Sequence, residues 1–260
     1  MDNFNYKKSF GQNFLYDQNI IKKIVDSSGI NKETLVIEVG PGSGNLSNEI
    51  IPLSGYSILY EIDNRLRDIL ARKLGKYDNY KIIFDDFLKQ DISGIRAEYN
   101  YDKIYVVANL PYYITSPIIT KLANDLYPDR IVIMVQEEVA DRLSASCGTR
   151  EYAMISVLLG AKYDIKKLFK VSKNCFVPAP QVNSCVLLME KNNKLKGIDE
   201  EKFVNLIKNA FKYKRKNLKN NLNSYDLNAI SSFLKKYNYS LSNRAEDIPI
   251  SVFIEMTKIL

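Results

Sequence analysis

Apolar, β-branched runs recur along the first half of the chain at positions 34–39, 57–62, 81–84, 103–108 and 130–136. Each is too short for a stable helix and is bounded by polar or glycine-containing segments, so each predicts a strand. Runs whose apolar residues are mostly consecutive, and not at alternate positions only, suit strands covered on both faces, as in a parallel sheet. Between them, 45–53, 64–74, 116–126 and 137–145 carry apolar residues three and four apart and predict helices. Strand and helix in alternation predict a doubly wound α/β domain. Two later runs, 164–171 and 184–190, flank a proline-containing loop and predict an antiparallel pair that closes the sheet. The Lys- and Asn-rich stretch 191–200 has little to pack, so it sets the predicted boundary between a domain of residues 1–190 and a smaller all-helical domain of residues 191–260. In the smaller domain Phe203, Ile207 and Ala210 share a helix face, and Leu218, Leu222, Leu227, Ile230, Phe233 and Leu234 continue the pattern. The intervening basic string is read as helical too, with Lys212, Lys216 and Lys219 on one stripe.

Composition narrows the chemistry more than the fold. The chain has no histidine, which excludes Ser-His and Cys-His nucleophilic catalysis and the usual His-rich metal site. Cys147, Cys175 and Cys185 are odd in number and lack a C-x-x-C pairing, so neither a disulfide framework nor a bound metal is expected. No apolar stretch approaches the roughly 20 residues of a membrane span. Residues 1–10, with Lys7 and Lys8 but no apolar run, do not read as a signal peptide, which makes the cytoplasm the expected address. Net charge is +7, and residues 201–260 contribute +6 of it through eleven Lys or Arg against five acids. A charge excess gathered in one segment is the footprint of a nucleic-acid binder or a solvated helix face.

The candidate chemistry follows the predicted strands. Val36-Ile-Glu-Val-Gly-Pro-Gly-Ser-Gly-Asn-Leu46 runs from a buried strand through a glycine-rich turn into a helix. In an open α/β sheet this first turn is where a nucleotide-like ligand sits. A dinucleotide fingerprint would place glycines at 40, 42 and 45. Position 45 is Asn, which disfavours a nicotinamide-dependent oxidoreductase and leaves S-adenosylmethionine, a ligand without phosphates. Glu61, 21 positions beyond Gly40, ends the second run, where a carboxylate can accept ribose hydroxyls; Asp63 is the alternative or a helix cap. After the third run either Asp85 or Asp86 could accept a hydrogen bond from an adenine amino group.

The most specific string is Asn109-Leu110-Pro111-Tyr112, directly after the fourth run. The amino nitrogen of adenine is a poor nucleophile because its lone pair is delocalised into the ring. Acceptors from Asn109 and from a carbonyl held by the stiff Leu110-Pro111 bond, aimed at its hydrogens, would localise that pair. Tyr112 could stack on the extruded base. The methylated product sheds its proton to solvent without a dedicated base, which suits a chain lacking histidine.

These motifs, with Ser9-Phe-Gly-Gln-Asn-Phe-Leu15, Val135-Gln-Glu-Glu-Val-Ala-Asp-Arg142 and Phe176-Val-Pro-Ala-Pro-Gln-Val-Asn-Ser184, resemble the S-adenosylmethionine-dependent rRNA adenine N6,N6-dimethyltransferases over nearly the whole chain, and in particular their small-subunit, KsgA type. The resemblance implies a Rossmann-like class I methyltransferase domain followed by a helical rRNA-binding domain, and a monomer acting on small-subunit rRNA or the immature small subunit. The expected modification is dimethylation of two adjacent adenines. It implies that Asn13, Leu15, Gly40, Glu61, Asp86 and Asn109 line the cofactor, and that Phe176 closes on the base from the face opposite Tyr112. It also implies that Lys212, Lys214, Arg215, Lys216 and Lys219 belong to the family's basic helix. The chain departs from the usual pattern at Lys214, where Arg is common, and at Gln181, where Lys is usual. The related large-subunit enzymes typically carry Ile in the Asn-x-Pro-Tyr tetrad; Leu110 and the basic C-terminal string favour the small-subunit type.

Overall fold

The computed structural model describes residues 13–260. Lys7, Lys8 and positions 9–12 of the N-terminal motif lie outside the described residues. These divide into two compact units, one running to Ala140 and including Lys166–Lys191, the other made of Asp141–Ile165 and Asn192–Leu260.

The first unit is built on a seven-stranded sheet. Its strands are β2 (Thr34–Val39), β3 (Tyr56–Tyr60), β4 (Tyr80–Ile83), β5 (Lys103–Asn109), β6 (Arg130–Gln136), β7 (Tyr163–Val171) and β9 (Ser184–Lys191), in the order β4-β3-β2-β5-β6-β9-β7. Five run parallel from β4 to β6, and β9 returns antiparallel to β6. Every residue of β2 is buried, as a strand with helices on both faces requires. The strand order reverses between β2 and β5, so their carboxyl ends open a crevice. The sequence did not indicate a two-stranded ribbon, β1 (Phe14–Leu15) with β8 (Phe176–Val177), in which Leu15 lies opposite Phe176.

Helix α1 (Gln18–Ser28) shows how local chemistry sets the elements beside the crevice. Asp17 caps its start by accepting the Asn19 and Ile20 amides, and Gly29, at φ 64°, ends it in the left-handed conformation that favours glycine. Ile21, Ile24, Val25 and Ser28 recur at three and four residues and form its buried face. Helices α2 (Asn45–Ile50), α3 (Arg67–Leu74), α4 (Ile95–Glu98), α5 (Thr115–Lys121) and α6 (Glu137–Leu143) follow the strands.

The second unit packs α7 (Met154–Lys162), α8 (Glu200–Ala210), α9 (Leu218–Asn221), α10 (Leu227–Lys235) and α11 (Ile250–Thr257) around a core that includes Phe203, Ile207, Leu218, Leu222, Leu234 and Phe253. Two expectations change here. Residues 141–165 group with the C-terminal helices, because Tyr152, Val157 and Ala161 are buried in that same core. The basic string is a turn and not a helical stripe. Helix α8 stops at Ala210, and the next helix begins only at Leu218, capped by Asn217. Asn221 holds the intervening turn by donating to the Ala210 carbonyl at 2.6 Å and the Tyr213 carbonyl at 3.2 Å while accepting the Tyr213 amide at 3.3 Å. Lys212, Lys214, Arg215 and Lys216 are exposed on this turn, and Lys219 is exposed on α9.

Candidate active site

The loops after β2, β3, β4 and β5 converge with β1 on a pocket of about 90 Å³. After β2 the chain turns through Gly40, Gly42 and Gly44, at φ 75°, 57° and 73°, which side chains rarely adopt. A Cβ on Gly42 would stand 2.8 Å from the Phe14 ring, so glycine there also lets β1 close down on the turn. Asn45 contributes in a way its sequence position did not reveal. It begins α2, donates to the Leu15 carbonyl at 2.7 Å and accepts from Lys73, whose ammonium also reaches the Ser43 carbonyl at 3.2 Å. The residue that breaks the dinucleotide pattern thus ties β1 to the glycine turn.

Glu61, 5% exposed, ends the β3 segment. Its Oε2 accepts the Gly42 amide at 3.0 Å and its Oε1 the Asp63 amide at 2.9 Å. Burial raises its pKa, and the amide hydrogen bonds from Asp63 and Gly42 pull against that rise. Asp63 instead caps the following turn through the Arg65 amide and pairs with the Arg65 guanidinium at 2.6 Å. After β4 both acids line the pocket, but they differ in what remains available. Asp85 accepts the Asp86 amide on one oxygen and Gln90 on the other, whereas Asp86 caps the Leu88 amide through Oδ1.

Glu38, inside the glycine motif but given no role by the sequence pattern, also lines the pocket from β2. It is buried, accepts the Ser47 hydroxyl at 2.6 Å, and has its pKa pushed up to about 8, chiefly by burial, with the Ser47 bond opposing and the Glu61 charge adding. At neutral pH it is mostly uncharged.

Beyond β5, the Asn109 side chain donates through Nδ2 to the Asn13 carbonyl at 3.3 Å, which leaves its Oδ1 as the acceptor facing outward from that bond. The Leu110 amide is held by the Met134 carbonyl at 3.2 Å. The Pro111 carbonyl is taken by the Ile114 amide and the Thr115 hydroxyl, while that of Leu110 has no donor among the described residues. The Tyr112 hydroxyl shares a 2.6 Å hydrogen bond with buried Ser184 on β9, a contact that the sequence pattern does not anticipate. Burial raises the Tyr112 pKa, opposed by that bond, so the ring is an uncharged phenol held at one end.

The pocket therefore gathers Asn13, Leu15, Gly40, Glu61, Asp86, Asn109, Leu110, Pro111 and Tyr112. Phe176 is not among its lining residues. It is 2% exposed and packs in the core with Leu15, Val171 and Val186, because pairing of β8 with β1 turns it inward. The expected sandwich with Tyr112 is absent from the described arrangement.

A family model described as ribosomal RNA adenine dimethylase matches residues 3–260. The chain belongs to the ribosomal RNA adenine dimethylase family. A relative from Mycoplasma mobile, named ribosomal RNA small subunit methyltransferase A, is 42% identical over 251 residues, covering 96% of each chain. Two crystal structures share this dimethylase's fold: a dimethyladenosine transferase from Plasmodium falciparum, with a TM-score of 0.78 at 23% identity, and the 23S rRNA methyltransferase ErmE, with 0.77 at 21%. The first match covers 95% of this chain and 98% of the other, the second 95% and 99%. No helix among the described residues of the dimethylase is long and apolar enough to cross a membrane.

A free glutamate ionises near 4.5, and Glu38 in the folded chain keeps its proton to about 8. The stability attached to that proton is complete below the lower value and lost as pH rises through the upper one. Denaturant unfolding of wild type and Glu38→Gln should show wild type losing ground to the variant between about pH 5 and pH 8. A flat difference, or one of opposite slope, would show that Glu38 is charged when folded. Phe176→Ala should cost about 3–5 kcal/mol of stability, as core truncations of Phe do. A variant of wild-type stability, impaired only in turnover, would return Phe176 to the base-stacking role.

Proposed function

We propose that this chain binds S-adenosylmethionine in the pocket beside β2 and β5 and dimethylates N6 of two adjacent adenines in small-subunit (16S) rRNA. One observation carries the reading. The glycine turn, a buried carboxylate at the end of β3 and the Asn109-Tyr112 string, far apart in sequence, line a single pocket. The residues fit the cofactor. Gly40 and Gly42 present backbone without side chains, and the buried Glu61 carboxylate retains acceptor capacity beyond its two amide bonds for ribose hydroxyls. Asp86 would take the adenine amino group of the cofactor, with Asn13 and Leu15 closing from β1. When bound, S-adenosylmethionine supplies an electrophilic methyl group on a sulfonium.

The remaining chemistry belongs to the protein. The Asn109 Oδ1 and the Leu110 carbonyl accept the two amino hydrogens of the target adenine, drawing its nitrogen toward a tetrahedral shape with a localised lone pair. Tyr112, anchored on Ser184, offers its ring to the base. Catalysis then comes from orientation and from acceptors that are already in place. After the first transfer one N–H remains and one acceptor suffices to hold it. The proton released at each step passes to water. The name of the Mycoplasma mobile relative supports the small subunit as substrate. The chain would work as a monomer, on immature subunits in the cytoplasm. The helical unit, with its exposed basic turn, would grip the RNA.

Asn109→Ala should lower kcat by roughly 10²-fold or more, as removal of a positioned polar group does. Single-turnover methylation of small-subunit rRNA checks this, with near-normal turnover counting against the assigned chemistry.

A further inference from the structure

Tyr113 follows the Asn109-Tyr112 string without being part of it. It lines the same pocket and yet is 53% exposed, an aromatic ring left on the wall of a cleft. Tyr112–Ile114 form a single 3₁₀ turn, on which successive side chains leave the axis about 120° apart. The two tyrosines therefore diverge. Tyr112 reaches Ser184 on β9, to one side of β5 in the sheet. On the other side of β5 lies β4, and helix α5, which continues the turn, packs against Phe87–Lys89, the segment after β4 that Asp86 caps. The Tyr113 phenol responds to that side of the crevice. Partial burial raises its pKa, and the Asp86 and then the Glu61 charges raise it further. Ring and carboxylates thus share one end of the pocket, where Ile62, 38% exposed, adds a second apolar surface.

Three groups could meet a ring in this pocket. The amino-acid tail of S-adenosylmethionine is flexible and charged, and gives a flat ring nothing to stack on. The target adenine is held by the Asn109 Oδ1 and Tyr112, toward β9. The adenosine of the cofactor matches every feature of the β4 end, with a flat base for the ring, an amino group for Asp86 and ribose hydroxyls for Glu61. We propose that Tyr113 is a cofactor-binding residue whose ring stacks on the adenosine of S-adenosylmethionine at the mouth of the pocket. The proposal rests on the S-adenosylmethionine reading of the pocket, but it assigns a contact which that reading does not require.

The test is calorimetry on the full-length protein with two non-reacting ligands, S-adenosylhomocysteine and 5′-methylthioadenosine, which keeps the adenosine and lacks the amino-acid tail. Tyr113→Ala should weaken both roughly tenfold, as loss of one stacked aromatic does, and by the same factor, because the ring touches only what the two ligands share. Tyr113→Phe keeps the ring and should bind both as wild type does. The Tm without ligand and the affinity for small-subunit rRNA should be unchanged in either variant. Weakening confined to S-adenosylhomocysteine would overturn the proposal by placing the ring on the tail. Weakening in Tyr113→Phe equal to that in Tyr113→Ala would overturn it in favour of a hydrogen bond from the hydroxyl. Lowered rRNA affinity with both ligands bound normally would overturn it by assigning the ring to the target base. Wild-type binding that Tyr113→Ala leaves unaltered would overturn the stack while sparing the proposed function, whereas a wild type that binds neither ligand would overturn both.

Discussion

The Gly42 amide donates to the buried Glu61 carboxylate at 3.0 Å, and the geometry of the candidate site hangs on this bond. It joins the turn after β2 to the end of β3, and it requires a left-handed backbone at Gly42 that a side chain would strain. The turn so fixed leaves room for Phe14, and the Asn45 bond to Leu15 then brings β1 over it. The Asn13 carbonyl in turn holds the Asn109 amide, fixing which end of that side chain is left to accept. The pocket is thus a chain of hydrogen bonds from β3 to β5 through the glycine turn and β1. An isolated charge buried as deeply as Glu61 would be costly; the two amides stabilise the carboxylate where it is needed.

Much of this was legible in the residues because the parallel strands are periodic and local. The runs at 34–39 and 130–136 coincide with β2 and β6 residue for residue, since a strand buried on both faces is apolar along most of its length. Glu61 and Asn109 were visible for a related reason, as polar residues placed where such strands end. What escaped depends on distant partners. Ser184 meets Tyr112 across 72 positions, and the two-residue strands β1 and β8 are too short to have a pattern. Phe176 was expected to close on the base only because of the resemblance; its burial comes from the pairing of β8 with β1, which two-residue strands do not announce in the sequence.

The basic string failed differently. Lys212 to Lys219 has helical spacing and good helix formers, but spacing alone does not say where a helix stops. The stop comes from Asn221, which supplies side-chain partners to backbone groups of the turn, and from Asn217, which caps the next helix. The outcome alters the placement of the charges as well as the shape. A helix would spread those charges around a cylinder, whereas the turn sets Lys214 and Lys216 beside an aromatic cavity. The segment 141–165 was misplaced because its apolar residues at 155–159 reveal burial but not the core that buries them.

The central claim is that one pocket joins a methyl donor to the amino group of adenine in small-subunit rRNA. It is tested most directly by incubating the purified chain with undermethylated small subunits and isotopically labelled S-adenosylmethionine, then digesting the rRNA to nucleosides for mass spectrometry. The account predicts label in N6,N6-dimethyladenosine, two labelled methyl groups on each modified base. Label confined to another nucleoside, or none despite saturating cofactor binding, would contradict it.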